Sequence, residues 1–333
     1  MDQNSFTPIL LRWFDANGRD LPWRHRHDAY AIWLSEIILQ QTRVVQGTAY
    51  WQRMLATWPT VDDLAAATED EVLKQWQGLG YYSRARNLHT AARQIVALGH
   101  FPDTYDEIRK LKGVGDYTAA AIASFAYGIP VAAVDGNAYR VLSRIEGIDT
   151  PINSTEGKKL FKEIAQNLVP QDRPDDFNQA MMDLGATICT PRDPHCDECP
   201  FVEQCVARRE GRVADLPVKN KTVTVKERWM TYIIIRCKGY VALHQRGKGD
   251  IWQGLWEPFL LEGKKIKLPN WKGVWTKTHE QVKHVLTHRI LWADSYVIDM
   301  EERPSLPNDY IWIREDQIKD YAIPRLVEIL WHP

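Results

Sequence analysis

Four cysteines, Cys189, Cys196, Cys199 and Cys205, fall within 17 residues of a 333-residue chain, and no other feature constrains the backbone so tightly. Such a dense group, with only Cys237 elsewhere, reads as a metal site rather than a disulfide framework. Four thiolates complete the coordination of a tetrahedral zinc ion or of a 4Fe-4S cluster, and the chemistry alone does not choose between them. Four reduced, uncoordinated thiols are the plain alternative. Cys237 lies in an apolar run and reads as a core thiol.

At 333 residues the chain exceeds the size at which one hydrophobic core keeps growing, so two domains are expected. Its 44% hydrophobic and 26% charged content is ordinary for a soluble protein. The first residues carry no basic start followed by an apolar run, and no stretch approaches the length of a membrane span. A soluble, intracellular, cytoplasmic protein without membrane contact is therefore expected, with a monomer as the simplest state. The net charge of −1 exerts no global pull on a polyanion, so binding to nucleic acid would have to come from local clusters and backbone amides.

From 5 to 208 the apolar residues recur at helical spacing, beginning with Phe6, Ile9, Leu10, Trp13 and Phe14. Thr60, Thr68 and Thr104 each precede a carboxylate by three residues, the reciprocal arrangement that starts a helix. Over 211–228 the periodicity stops in a polar, basic, β-branched stretch, which reads as a linker. Beyond it, 231–237, 240–245, 289–297 and 310–313 read as strands and 315–331 as a terminal helix. The expectation is an all-α domain over 1–210, a linker over 211–228 and an α+β domain over 229–333.

Three constellations can carry chemistry besides the cysteines. Gly113 and Gly115, in Leu-Lys-Gly-Val-Gly at 111–115, leave bare backbone just before a helical run, where N–H groups can meet a phosphate without a basic side chain. Twenty residues downstream, Asp135 stands beside a glycine ahead of the next helix. In Trp33-Leu-Ser-Glu-Ile-Ile, Glu36 interrupts an otherwise apolar helix, where a carboxyl is costly to bury and can have a raised pKa. Taken singly, each has a bland reading: a turn, a cap, a surface glutamate.

The order LKGVGDYTAAAIASFAYG, then VDGNAYRVLSR, then the cysteine loop resembles the helix-hairpin-helix DNA glycosylase superfamily. The 21–43 segment resembles its MutY-type adenine DNA glycosylase branch. The resemblance implies a 4Fe-4S cluster on the four cysteines, with a structural or DNA-docking role. It makes Glu36 the acid that protonates adenine and Asp135 the carboxylate that stabilises the sugar cation. Tyr117 and Asn137 would orient Asp135 and the sugar, and Arg24 would hold Glu36 or the extruded base. Gln41 would intercalate, Gln40 and Thr42 would touch the opposite strand, and Tyr81, in Gly-Leu-Gly-Tyr-Tyr at 78–82, would wedge beside 8-oxoguanine. Over 252–289 the chain resembles the Nudix-like domain of the same branch, without the Arg-Glu-x-x-Glu-Glu helix of Nudix hydrolases. Where many relatives carry Phe-Ser-His, this chain has Leu286, Thr287 and His288, which keeps a hydroxyl and an imidazole but loses a ring.

The implied substrate is duplex DNA with adenine opposite 8-oxoguanine or guanine. The nucleotide would be extruded, then released with acid help typically worth ~10²- to 10⁴-fold. Endonuclease III-type relatives have lysine where this chain has Tyr117, so the resemblance implies base removal without efficient strand cleavage; Lys112 could give weak adventitious cleavage. A bifunctional lyase, a silent mismatch-binding protein and a Nudix-type hydrolase are the alternatives. The missing lysine, the two carboxylates and the missing carboxylate helix argue against them in turn.

Overall fold

The computed structural model describes residues 3–220 and 224–331. Its α-helices are α1 (Gln3–Asn17), α2 (Ala29–Leu39), α3 (Val44–Thr57), α4 (Val61–Ala66), α5 (Glu69–Trp76), α6 (Ser83–Leu98), α7 (Tyr105–Lys110), α8 (Asp116–Tyr127), α9 (Gly136–Glu146), α10 (Thr155–Leu168), α11 (Pro174–Thr187), α12 (Val206–Arg209) and α13 (Arg325–Trp331). The strands are β1 (Lys226–Cys237), β2 (Tyr240–Gln245), β3 (Trp256–Glu257), β4 (Phe259–Glu262), β5 (Val274–Leu286), β6 (Arg289–Met300) and β7 (Tyr310–Arg314). The chain divides into two compact units, one of residues 1–65 with 90–221 and the other of 66–89 with 222–333.

The first unit is helical, and its starts follow from local chemistry. Asp28 accepts from the Ala31 amide at 2.7 Å and Thr104 from the Glu107 amide at 3.3 Å, satisfying N–H groups that a helix end leaves open. Its core gathers Phe6, Leu10, Phe161, Phe177, Leu184 and Phe201, and Cys189, Cys199 and Cys205 pack against it. Phe6 stacks on Phe201 with centroids 4.5 Å apart, tying the first helix to the cysteine loop. Helix α2 is buried along Tyr30–Ile38 and lies against α8, whose Ala119–Ala121 and Ala123 are buried and small enough for close approach.

The second unit is a seven-stranded mixed sheet in the order β3-β2-β1-β6-β5, with β4 also pairing β1 and β7 pairing β2. Strands β1 and β6 run parallel from Lys226↔Arg289 to Cys237↔Met300. Strands β5 and β6 form an antiparallel hairpin whose turn is Thr287 and His288. One sheet face buries Met230, Tyr232, Leu291, Leu326 and Leu330 with α13; the other buries Ile233, Ile235, Ala242 and Ile298 under Phe259, Trp271 and Trp312. The 66–89 segment belongs to this unit: Lys74 donates to the Tyr321 carbonyl at 3.0 Å, Arg86 to the Gln253 carbonyl at 2.7 Å, and Gln245 to Asp70 at 2.7 Å. The Thr68 and Glu71 capping box expected from sequence opens its helix.

Four expectations are corrected. Strand β1 begins at Lys226, inside the expected linker, because its first residues pair with β6; linker residues 221–223 lie outside the described residues. Residues 66–89 fall in the compact unit of the sheet rather than with the rest of 1–210. The terminal helix breaks into a 3₁₀ turn over Glu315–Asp320 and α13, with Pro324 at the junction, where its ring and missing N–H would interrupt a helix. Strand β5 was hidden by its polar sequence and by register shifts near His279. Among the described residues, no helix is long and apolar enough to cross a membrane.

Candidate functional site

In the first unit a cleft of about 720 Å³ is lined by Arg24, Glu36, Gln40, Gln41, Thr42, Tyr117, Asp135, Asn137 and Gln179. Its volume falls within the ~300–1,000 Å³ range of small-molecule pockets. Glu36, on the fully packed face of α2, is only 6% exposed. Burial pushes its carboxyl up to about 7, against a downward pull from the Tyr117 hydroxyl, which donates to Glu36 Oε2 at 2.9 Å. The neighbouring Asp135 charge raises it further and Arg24 lowers it. A carboxyl in this state can hold a proton near neutrality and give it up to a base brought into the cleft. Burial and the same carboxyl hold Tyr117 protonated.

Asp135 is the N-cap of α9 and accepts from the Asn137 and Ala138 amides at 2.9 and 2.7 Å; the Asn137 side chain donates to its other oxygen at 2.7 Å. The helix amides expected to hold it ionised are present. Burial nevertheless outweighs them and raises its carboxyl above the usual range. Asn137 is held in turn by Arg140, which donates to Asn137 Oδ1 and to the Gly185 and Cys189 carbonyls. Gly185 has no room for a side chain, since a Cβ there would stand 2.4 Å from the Asn137 Cβ.

Arg24 is held by a carboxylate other than Glu36. It lines the cleft but forms a two-pronged pair with Asp183, at 2.8 Å to each oxygen, and also donates to the Arg19 carbonyl. Asp183 is fully buried, and although burial raises its carboxyl, the bonds from Arg24 and Arg19 hold it below the ordinary range. Arg24 reaches Glu36 through its field rather than by a bond. Sequence reasoning missed both Asp183 and Gln179. Gln179 lines the cleft, and its Oε1 is buried with no hydrogen-bond partner among the described residues. An orphaned acceptor costs free energy unless a ligand donor meets it.

At the cleft's mouth, Gln40 donates to Thr118 at 3.1 Å, and Gln41 adopts a left-handed φ of 56°, a strained conformation for a non-glycine residue. In the α7–α8 hairpin Gly113 has φ 79°, which glycine alone adopts freely, and Gly115 caps α8 with open space where a Cβ would stand.

The four cysteines line one small cavity of about 20 Å³ and form no disulfide. Among the described residues no group of His, Cys, Asp or Glu side chains converges closely enough to hold a metal ion. Burial pushes the Cys199 thiol up to about 11, with the other three cysteines adding to the rise. Arg144 donates to Cys189 Sγ at 3.4 Å. Four thiols beside a guanidinium are a donor set suited to a thiolate-bound metal group.

In the second unit a cavity lies between Tyr81, Trp252, His284, Leu286, Thr287 and His288. Tyr81, with φ 46°, bonds hydroxyl to hydroxyl with Thr287. The expected wedge and the expected hairpin loop thus meet.

Residues 34–171 match the HhH-GPD superfamily of base excision DNA repair proteins, and 230–332 match the NUDIX domain. Fold and site together define a helix-hairpin-helix base excision repair protein joined to a NUDIX domain. An adenine DNA glycosylase of Buchnera aphidicola (subsp. Acyrthosiphon pisum) is 35% identical over 258 residues, 77% of this chain and 74% of that one. The rat adenine DNA glycosylase is 45% identical over 230 residues, 65% of this chain but 45% of its own length. A solved thermostable thymine-DNA glycosylase superposes with a TM-score of 0.58 at 31% identity, covering 62% of this chain and 97% of that one. The chain belongs to the adenine DNA glycosylase family. The match spans less than half the length of the mammalian relatives.

Proposed function

We propose that this protein hydrolyses the N-glycosidic bond of adenine in duplex DNA, where adenine faces 8-oxoguanine or guanine. The observation that carries this reading is the pair of buried carboxyls, Glu36 and Asp135, with Tyr117 and Asn137 bonded to them in one cleft. An adenine must leave the stack before its sugar bond is reachable. In the cleft the base would lie beside Gln179, which lines it. Glu36, protonated near neutrality, gives its proton to the ring nitrogen N7; the C1′–N9 bond breaks and its electron pair goes to the base. Asp135, bonded by two helix amides and Asn137, stabilises the positive charge left on the sugar until water adds to C1′ and gives up a proton to solvent. The duplex is held at the Gly113 and Gly115 hairpin through backbone amides, with Gln41 in the gap and Gln40 and Thr42 toward the opposite strand. Tyr81, Leu286, Thr287 and His288 face the opposite base.

Cys189, Cys196, Cys199 and Cys205 would hold a 4Fe-4S cluster, which when bound supplies a rigid brace to the loop. Loss of iron should accompany loss of DNA binding, read by absorbance and a mobility shift on the same sample; stoichiometric zinc without iron in anaerobically prepared protein would contradict the assignment. The protein acts as a cytoplasmic monomer, with a helix-hairpin-helix domain over 1–210, a linker over 211–228 and a Nudix-like domain over 229–333.

The test is single-turnover cleavage of duplexes carrying adenine opposite 8-oxoguanine, adenine opposite guanine, thymine opposite guanine and thymine glycol opposite adenine, each analysed with and without alkali. Alkali-dependent breaks at adenine, fastest opposite 8-oxoguanine, are expected. Preference for the thymine opposite guanine would move the protein toward the thymine glycosylase it resembles, and breaks without alkali at thymine glycol would make it a lyase.

A further inference from the structure

We infer that Trp252 determines specificity for the base opposite the adenine, forming the wall against which that base is held beside Tyr81 and Thr287. The inference rests on the proposed reading of this cavity. Six non-glycine residues among those described have positive φ. Lys238 sits in the tight turn between β1 and β2, Gln281 at the register shift of β5, and Asp193 in the cysteine loop. Gln41 lies at the mouth of the cleft. The remaining two, Tyr81 at 46° and Trp252 at 61°, are bulky aromatics, and both line this one cavity. A bulky side chain in the left-handed region is a genuine outlier, and such strain gathers at ligand clamps. A glycine or asparagine would make the same turn without strain.

The turn that carries Trp252 is fixed from several sides. Asp250 accepts from the Ile251 amide at 2.7 Å, Arg246 donates to the Ile251 carbonyl at 3.0 Å, and Arg86 donates to the Gln253 carbonyl at 2.7 Å. The amides of Gly254 and Leu255 close it onto the Arg246 and Trp252 carbonyls. Beside the indole, His284 packs edge-on with centroids 6.0 Å apart. Burial and Arg325 lower the His284 pKa, so this wall is neutral near pH 7.

The chemistry requires such a wall. Guanine and 8-oxoguanine differ by an oxygen at C8 and a proton on N7, so the hydroxyls of Tyr81 and Thr287 can separate them only by hydrogen bonds. A hydrogen bond discriminates strongly only where water cannot substitute for it. A rigid indole across the cavity excludes water and gives the purine a face to stack on.

The test begins with a photo-crosslink in Glu36→Gln protein, which keeps the duplex intact, using 8-bromoguanine opposite adenine and locating attachment by mass spectrometry. Attachment at Trp252 as well as Tyr81 is expected. Attachment at Tyr81 alone overturns the role of Trp252, whereas attachment at neither overturns the reading of the cavity itself. On the protein with intact Glu36, Trp252→Leu should lower the rate ratio between 8-oxoguanine and guanine opposites about tenfold, and Trp252→Phe should restore most of it. Equal slowing on both duplexes means a structural role only and overturns the inference.

Discussion

Glu36 shows how one residue's surroundings set its chemistry. In water its carboxyl would be ionised near neutrality; buried where α2 lines the cleft, it is pushed up to about 7. The single-turnover rate should therefore fall about tenfold per pH unit above ~7, as the proton-bearing form is lost. The same shift is a stability statement. The folded state binds this proton more tightly than the unfolded chain, so the stabilisation is complete below about 4.5 and lost as pH rises through about 7. With ~1.4 kcal/mol per unit, ionising Glu36 in the fold costs on the order of 3 kcal/mol. Glu36→Gln should abolish adenine release while raising the melting temperature by several degrees at pH 8; calorimetry checks the second effect, and a variant with normal turnover removes Glu36 from the mechanism. Gln179→Leu removes an acceptor that already lacks a partner, so stability should hold or improve while kcat/KM for adenine release falls ~10-fold or more. An unchanged kcat/KM would show that Gln179 takes no part in binding the adenine.

Asp135 belongs to an element as much as to a site. As the N-cap of α9 it satisfies two backbone donors, and as a carboxyl in the cleft it is placed to meet a developing cation. These roles separate by substitution. Asp135→Asn keeps the cap and loses the charge, so activity should drop by orders of magnitude with stability within ~0.5 kcal/mol of the parent. Asp135→Ala should lose activity equally and a further ~1 kcal/mol of stability, read by denaturant unfolding. Equal stability of the two would mean that the cap contributes nothing here. The cap could be read from sequence, since Asp followed by a helical run is a common start. That α2 and α8 bring Glu36 and Tyr117 to the same cleft could not, because residues 81 positions apart meet only through packing.

For the whole molecule, the division into units makes its own prediction. A chain ending at residue 221 would strip 66–89 of Tyr321, Gln253 and Gln245, which now accept from or donate to it. Amide exchange across α5 should then rise by at least tenfold, although its buried Leu73 and Trp76 are unchanged in sequence. Unaltered protection would assign the segment to the other unit energetically.

The sequence by itself determined the local features. Threonine caps, the glycine that permits a left-handed turn, the clustered thiols and the switch from helical to alternating periodicity are interactions among residues a few positions apart. It also singled out Glu36, Asp135 and the four cysteines, because a carboxyl in an apolar helix and dense thiols are chemically conspicuous. Only the tertiary structure decided that Arg24 pairs with Asp183, that Gln179 lacks a partner, that 66–89 joins the sheet, and that Tyr81, Trp252 and Thr287 share a cavity. The reason is physical: burial and the pairing of distant groups set these properties, and neither is a property of neighbouring residues along the chain.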